Sequence, residues 1–274
     1  MAASPMPLST RTAPFDSVAD TYDDTFTNSL IGRAQREAVW LELDRCFHPG
    51  QRVLELNCGT GVDAIHLGER GVEVLACDIA ARMIEVARRR LNVSNLSAPV
   101  HFRVLATEDI AQLDGRGRFD GVFSNFAGLN CVENLSSVAA DWAQLLKPGA
   151  RALVCVAGLV VAWELVWYLA QGNLGKALRR FHHDGIRARL ADGAHVMVYY
   201  PSVRAVARML RPEFRLIAWK GVGLTVPPSY LEQQARRHPK MLKACISADR
   251  ALSRLPLLRG LADHRLLEFE RVAA

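Results

Sequence analysis

The sequence predicts an α/β protein built on a mostly parallel, doubly wound sheet, with helical and hairpin insertions that roof one end of it. Three observations predict it. Short β-rich runs alternate with helical runs from Gln51 to Val156. The glycine-rich turn Asn57-Cys58-Gly59-Thr60-Gly61 joins the first of these strands to the first of these helices, the position where such sheets meet ligands. The rhythm breaks after Gly158, and two β-rich runs, 214–222 and 264–272, return late in the chain.

The elements follow in order. Residues 1–14 are rich in Ala, Ser, Thr and Pro, lack the apolar core of a secretory signal and read as a mobile arm. Residues 15–49 read as lid helices. Gln51–Asn57 is a strand and Val62–Arg70 a helix; Gly71–Asp78 and Ile79–Asn92 repeat the pair. Val100–Leu105 and Phe119–Asn125 are strands joined by a short helical link. Ser136–Leu146 is a helix stopped by Lys147-Pro148-Gly149, and Arg151–Val156 is the fifth strand. Such alternation makes right-handed crossovers and a parallel sheet. Beyond Gly158, residues 159–170 and 174–183 read as helices. Ile186–Leu190 and His195–Tyr200 flank Asp192-Gly193, a hairpin signature. Ser202 caps a short helix, and Pro227-Pro228-Ser229 opens a helical stretch. The organisation is therefore an arm (1–14) and one domain (15–274). That domain comprises lid helices (15–49), a core (50–157), a cap insertion (158–213) and a closing segment with a helical insertion (214–274).

Composition narrows the function. With 274 residues, half of them hydrophobic, the chain can bury a sizeable core. Its six cysteines have no C-x-x-C spacing, which fits free thiols in a reducing, cytoplasmic setting. Residues 152–170 are apolar except for Glu164, but Gly158 divides them into a strand and a helix rather than one membrane span. The net charge is −4 over residues 1–157 and +10 over residues 158–274. The cations are spread over many elements, which favours a solvated surface over a nucleic-acid site and leaves peripheral membrane contact open. Histidines and cysteines are too dispersed to suggest a metal site.

The turn at 57–61 carries the chemistry. Its glycines let the backbone approach a ligand closely, and the following helix aims its first amides at the same place. Asp78 ends the next strand, where a carboxylate can accept both hydroxyls of an adenosine ribose. Gly59-x-Gly61-x-x-Ala64 also satisfies the dinucleotide fingerprint. The acids Glu55 and Asp63 beside the turn argue for a cationic adenosyl ligand instead, because they would repel a pyrophosphate. Ser124-Asn125-Phe126 ends the fourth strand, and the loop runs on to Asn130-Cys131. Asn125 and Asn130 offer hydrogen bonds to a ligand, and Phe126 offers a π face to a cationic methyl. Cys131 reads as a small buried hydrophobe. His182, His183, His195 and His238 are the histidine candidates for a general base, and Tyr199 and Tyr200 alternate faces on a strand. An acceptor that ionises readily would need no strong base. Trp163, Trp167 and Tyr168, at helical spacing, read first as core and second as an apolar substrate wall.

The run Val53-Leu54-Glu55-Leu56-Asn57-Cys58-Gly59-Thr60-Gly61 resembles motif I of the class I S-adenosylmethionine-dependent methyltransferases. Asp78 with Met83, and Leu145-Leu146-Lys147-Pro148-Gly149, extend the match. The chain is similar to the quinone-biosynthesis C-methyltransferases over about residues 15–157 and the closing strands. The resemblance implies a seven-stranded sheet with an antiparallel last strand. It also implies S-adenosylmethionine as methyl donor, S-adenosylhomocysteine as product, and a small-molecule acceptor with no nucleic acid. By resemblance Glu55 and Gly59 hold the methionyl end, with Asn57, Cys58 and Gly61 in the same turn. Asp78 holds the ribose, and Ile79 lies beside the adenine with Met83 following. The family's acid after the third strand is replaced by Ala106, leaving Thr107, Glu108 and Asp109 as candidates. Asn57 stands where the family often has glycine. Phe15 to Asp23 resembles the family's lid, with Tyr22 near the methionyl part; the other reading of Tyr22 is packing against Phe26. Arg33 is either a partner for the cofactor carboxylate or a solvated cation. An RNA or protein methyltransferase using the basic half is the first rival. A non-catalytic cofactor-binding or membrane-surface protein, using the helix near Trp163 with Lys176, Arg179 and Arg180, is the second.

Overall fold

A computed structural model describes residues 13–182, 184–190 and 193–272. Five parallel strands, β1 (Arg52–Leu56), β2 (Glu73–Asp78), β3 (Val100–Val104), β4 (Phe119–Ser124) and β5 (Leu146–Ala157), are followed late in the chain by β8 (Phe214–Val222) and β9 (His264–Arg271). Between them lies a separate hairpin of β6 (Ile186–Arg189) and β7 (His195–Val198). The seven-stranded sheet runs in the order β3-β2-β1-β4-β5-β9-β8. β9 lies antiparallel to both β5 and β8.

Helices α1 (Ala19–Tyr22) and α2 (Leu30–Cys46) precede the sheet. Within it α3 (Val62–Glu69), α4 (Ala81–Leu91) and α5 (Ser136–Leu145) make the crossovers. The later helices are α6 (Ala162–Ala170), α7 (Leu174–Ala177), α8 (Val203–Met209), α9 (Glu232–Arg237) and α10 (Pro239–Leu252). The strands are apolar on both faces because helices cover both sides. One apolar cluster gathers Leu54, Leu56, Val122 and Val154 with Trp142 and Phe214; the other gathers Val53, Val74, Phe123 and Leu153 with Val39 and Leu43 of α2. The apolar run 152–170 is divided between β5, a loop and α6, and no helix among the described residues is long and apolar enough to cross a membrane.

Three local readings change. β5 begins at Leu146 rather than Arg151, because Lys147-Pro148-Gly149 forms an irregularity inside the strand and Phe119 already pairs with Leu146. The helical stretch after Pro227 is two helices, broken at His238-Pro239, since proline cannot continue the i→i−4 ladder. Pro14, assigned to the arm, opens a 3-10 turn, Pro14–Val18, that belongs to the lid; the rest of the arm through Arg11 and Thr12 lies outside the described residues. Asp192 of the hairpin turn also lies outside them, but β6 and β7 pair as the signature predicts, with Gly193 at φ +95°.

Topology fixes where a ligand meets the chain. β2 and β3 lie on one side of β1, and β4 and β5 on the other. The loops after β1 and β4 therefore part at the switch point, above the carboxyl ends of adjacent strands. Leu56 pairs with Ser124, which sets the 57–61 turn beside the 125–131 loop. Gly61 is the N-cap of α3 at φ +74°, and a Cβ there would meet the Phe102 ring at 2.6 Å and Ala87 at 2.8 Å. A Gly61→Ala variant therefore combines left-handed strain with overpacking. It is expected to lose about 2–4 kcal/mol in urea unfolding; a loss within experimental error would show that this turn does not hold α3 in place.

Candidate functional site

At the switch point lies a cavity of about 550 Å³. Its floor is the 57–60 part of the turn, one wall is Asp78, Ile79 and Met83, and another is Asn125 to Gly128. Thr107 and Glu108 close one side, Phe15 and Tyr22 come from the lid, and His195, Val196 and Met197 come from the hairpin.

The turn is shaped by its backbone. Asn57 takes the left-handed conformation, φ 55°, which asparagine tolerates where other L-residues do not. Its Oδ1 accepts from Ser124 Oγ at 3.2 Å, and its side chain fills the space that a Cβ on Gly128 would enter at 2.3 Å. Gly59 has φ +53° and open space where a Cβ would stand. Asp78 Oδ2 accepts from Gly59 N at 2.8 Å and Oδ1 from Ala80 N at 2.9 Å. Burial raises the Asp78 carboxyl above its ordinary 3.8, and these amides pull it back.

Beneath the turn lies a buried polar hub. Asp63 accepts from Arg36 Nη1 at 2.7 Å, Trp40 Nε1 at 2.7 Å and Asn125 Nδ2 at 2.9 Å. Burial alone would raise this carboxyl, but the Arg36 charge and the three donors hold it below 3.8. The Arg36 guanidinium also lies 4.8 Å from the centre of the Phe126 ring, and it walls the cavity with its Nε buried and without a partner. Phe126 and Ala127 both have positive φ, 42° and 64°. The loop holds this strained shape because Phe126 N donates to Asn125 Oδ1 and Ala127 N to the Cys155 carbonyl.

Glu55 sits behind the cavity wall. Burial first, and then the Asp63 charge, push its carboxyl well above 4.5. Its Oε2 is buried without a partner. Asp63 is paired with Arg36 and burial favours the neutral form of Glu55, so the repulsion expected from the sequence is weakened in the structure.

The lid is strapped to α4 by charge. Asp16 accepts from Arg82 N at 2.8 Å, Asp20 pairs with Arg82 and Arg89, and Asp23 pairs with Arg90 and accepts from Thr60 Oγ1 at 2.7 Å. The Tyr22 ring lies 5.8 Å from that of Phe26, and it also walls the cavity, where burial pushes its phenol up to about 12.

The sequence candidates divide. Tyr22, Asn57, Cys58, Gly59, Asp78, Ile79, Met83, Thr107, Glu108, Asn125, Phe126 and His195 wall the cavity. Glu55, Gly61 and Asp109 do not line it, and Glu55 and Asp109 are buried. Arg33 is corrected: it lies on the exposed face of α2, one turn from Arg36, which faces inward instead. Asn130 is corrected as a ligand contact: its Nδ2 donates to the Tyr199 carbonyl and its Oδ1 accepts from Ala157 N, so it ties the hairpin to β5. His182 and His238 are exposed and stand away from the cavity. His183 lies outside the described residues. Tyr200 packs 5.1 Å from the Arg180 guanidinium, away from the cavity wall. Cys131 walls the cavity, and burial pushes its thiol up to about 11, so it stays protonated.

Two residues were missed. Arg36 carries a helical signal, four residues before Trp40 on the same face. His264 opens β9 with its ring 5.5 Å from Phe126, and burial lowers its imidazole below 6.5. An antiparallel strand delivers its first residues to the edge where the parallel strands end, and that rule would have found it. The described residues contain no cluster suited to a metal ion.

Glu55 gives the hub a pH signature. The folded-state value is raised, so the stability from its neutral form is complete below 4.5 and is lost as pH rises through the elevated value. Chemical unfolding from about pH 5 to about pH 9 is expected to show Glu55→Gln gaining on the native chain as pH rises. A difference independent of pH would contradict a protonated Glu55.

Residues 53–149 match the family model described as a methyltransferase domain. The chain is 34% identical over 146 residues to a demethylmenaquinone methyltransferase of Clavibacter sepedonicus, covering 52% of this chain and 56% of that one. It is 31% identical over 101 residues to a tRNA 5-carboxymethoxyuridine methyltransferase of Escherichia coli K12, covering 35% of this chain and 39% of that one. The chain thus spans about half the length, or less, of these curated relatives. Its fold is like that of a crystal structure from Listeria monocytogenes described as a putative S-adenosylmethionine-dependent methyltransferase, with TM-score 0.60, 19% identity, and coverage of 85% of this chain and 96% of that one. The sheet order and these matches agree: residues 53–149 match a methyltransferase domain, set in a fold like that of the Listeria structure.

Proposed function

We propose that this chain transfers the methyl group of S-adenosylmethionine to a small, partly apolar acceptor. The observation that carries the reading is the single cavity around which the motif turn, Asp78 and Arg36 converge. Its size, about 550 Å³, lies in the range of small-molecule sites.

The residues fit the cofactor on a structural test. The buried, unpartnered Nε of Arg36 is a cationic donor suited to a carboxylate. Asp78 keeps acceptor capacity beyond its two amide bonds for a ribose diol. Gly59 leaves open space beside its backbone. When bound, the cofactor supplies an electrophilic methyl on a sulfonium.

The chain does the rest. Asp78 and the Gly59 backbone position the nucleoside end, and Arg36 holds the amino-acid end. Phe126, its ring fixed between Phe26 and His264, offers a π face to developing or departing positive charge. Phe15 and Tyr22 exclude water from the closed site. Val132, Val196 and Met197 give the acceptor an apolar bed, and His195 at the mouth is the imidazole placed to take a proton from it. With Cys131 protonated and Asn130 tied to the backbone, in-line positioning carries most of the rate.

Incubation with methyl-labelled S-adenosylmethionine and a panel of thiols, phenols, amines and quinones tests this. Label is expected in a ring-bearing, partly apolar acceptor. The tRNA methyltransferase relative and the basic second half support a rival acceptor. Label appearing only in RNA, with binding that falls steeply as salt rises, would replace the small-molecule reading.

A further inference from the structure

We infer that the outer face of the cap, residues 166–181, is a docking surface for an anionic lipid bilayer. The inference stands on that surface alone and does not depend on the methyl acceptor.

Among the described residues, fifteen large hydrophobics are exposed, and six of them fall in this short segment: Val166, Trp167, Leu169, Leu174, Leu178 and Phe181. Val166, Leu169 and Leu174 are 66%, 52% and 59% exposed. Isolated exposed leucines mean little, but a contiguous set marks an interaction site.

The segment is a built unit rather than a loose loop. Glu164, buried on the inner side of α6, pairs with Arg179 at 2.6 Å and Arg180 at 2.6 Å, which folds the 179–181 turn back against the helix. Asn173 caps α7 by accepting from Lys176 N. Trp167 and Tyr168 both meet the Tyr230 ring, at 6.4 Å in each case, which fixes the unit to the body of the protein. The apolar side chains are thus held outward by a scaffold whose only acid points inward.

Charge selects the occupant. Residues 165–182 contain Lys176, Arg179 and Arg180 and no acid; Arg180 is largely buried between Glu164 and Asp263, so Lys176 and the part-exposed Arg179 are the cations at this face. Lys176 and Arg179 lie over Tyr168, each 5.7 Å from its ring, at the border of the apolar face. Apolar and aromatic side chains beside cations match the layering of a bilayer surface with anionic headgroups. A second copy fits less well, because a two-fold contact through this face would set the same cations against each other.

Co-sedimentation with vesicles of phosphatidylcholine alone, and of phosphatidylcholine with one third phosphatidylglycerol, tests the surface. The native chain is expected to pellet with the anionic vesicles and far less with the neutral ones. Val166→Ser, Leu169→Ser and Leu174→Ser together are expected to lower partitioning at least about tenfold, and Lys176→Glu about tenfold. An unchanged thermal midpoint shows that these exposed substitutions leave the fold intact. Two results would overturn the inference: no preference for anionic vesicles, or equal binding by the variants. A dimer in sedimentation velocity that the triple variant abolishes, without vesicle binding, would assign the face to a second copy instead.

Discussion

The buried pair of Arg36 and Asp63 is the constraint on which the site depends. Three parts of the chain meet in it: α2 through Arg36 and Trp40, α3 through Asp63, and the β4 loop through Asn125 and the Phe126 ring. A charge this deep is costly unless it is paired and hydrogen-bonded, and losing one partner of such a pair costs roughly 3–5 kcal/mol. The arrangement therefore does more than stabilise. It forces the lid helices, the motif helix and the loop after β4 into one geometry, and it leaves Arg36 Nε buried without a protein partner at the cavity wall. Burial beside this pair raises the Glu55 carboxyl and favours its neutral form.

Around that hub the sheet supplies direction. The split between β1 and β4 opens the cavity, and β9, running antiparallel between β5 and β8, brings His264 to the same edge from the end of the chain. The lid closes the opposite side through aspartates that face arginines of α4. One part of the cavity wall is thus assembled from local sequence, residues 57–83, whereas the rest collects Arg36, the lid, the β4 loop and the β6–β7 hairpin.

That division explains what was legible in the sequence. The turn at 57–61, Asp78 and the strand–helix alternation carry their meaning in local spacing, and all are found where spacing puts them. Asn57 looked like a departure, yet an asparagine can take the left-handed turn and its side chain packs under Gly128. Arg33 and Arg36 lie three residues apart, and only packing against α3 decides which one turns inward. Asn130, Tyr200 and the histidines were chosen for chemistry alone, and their positions depend on contacts between distant segments that no local pattern records. How far the charges of Glu55 and Asp63 reach was not legible for a related reason: formal charge is a property of the sequence, whereas burial raises the Glu55 carboxyl and Arg36 pairs with Asp63 only in the fold.

The central claim is that this hub and turn form a site for S-adenosylmethionine rather than for a dinucleotide. Calorimetric titration of the intact chain with S-adenosylhomocysteine and with NAD tests it most directly. The account predicts saturable binding of S-adenosylhomocysteine, one per chain, and none of NAD. Binding of NAD in its place, or of neither, would contradict it.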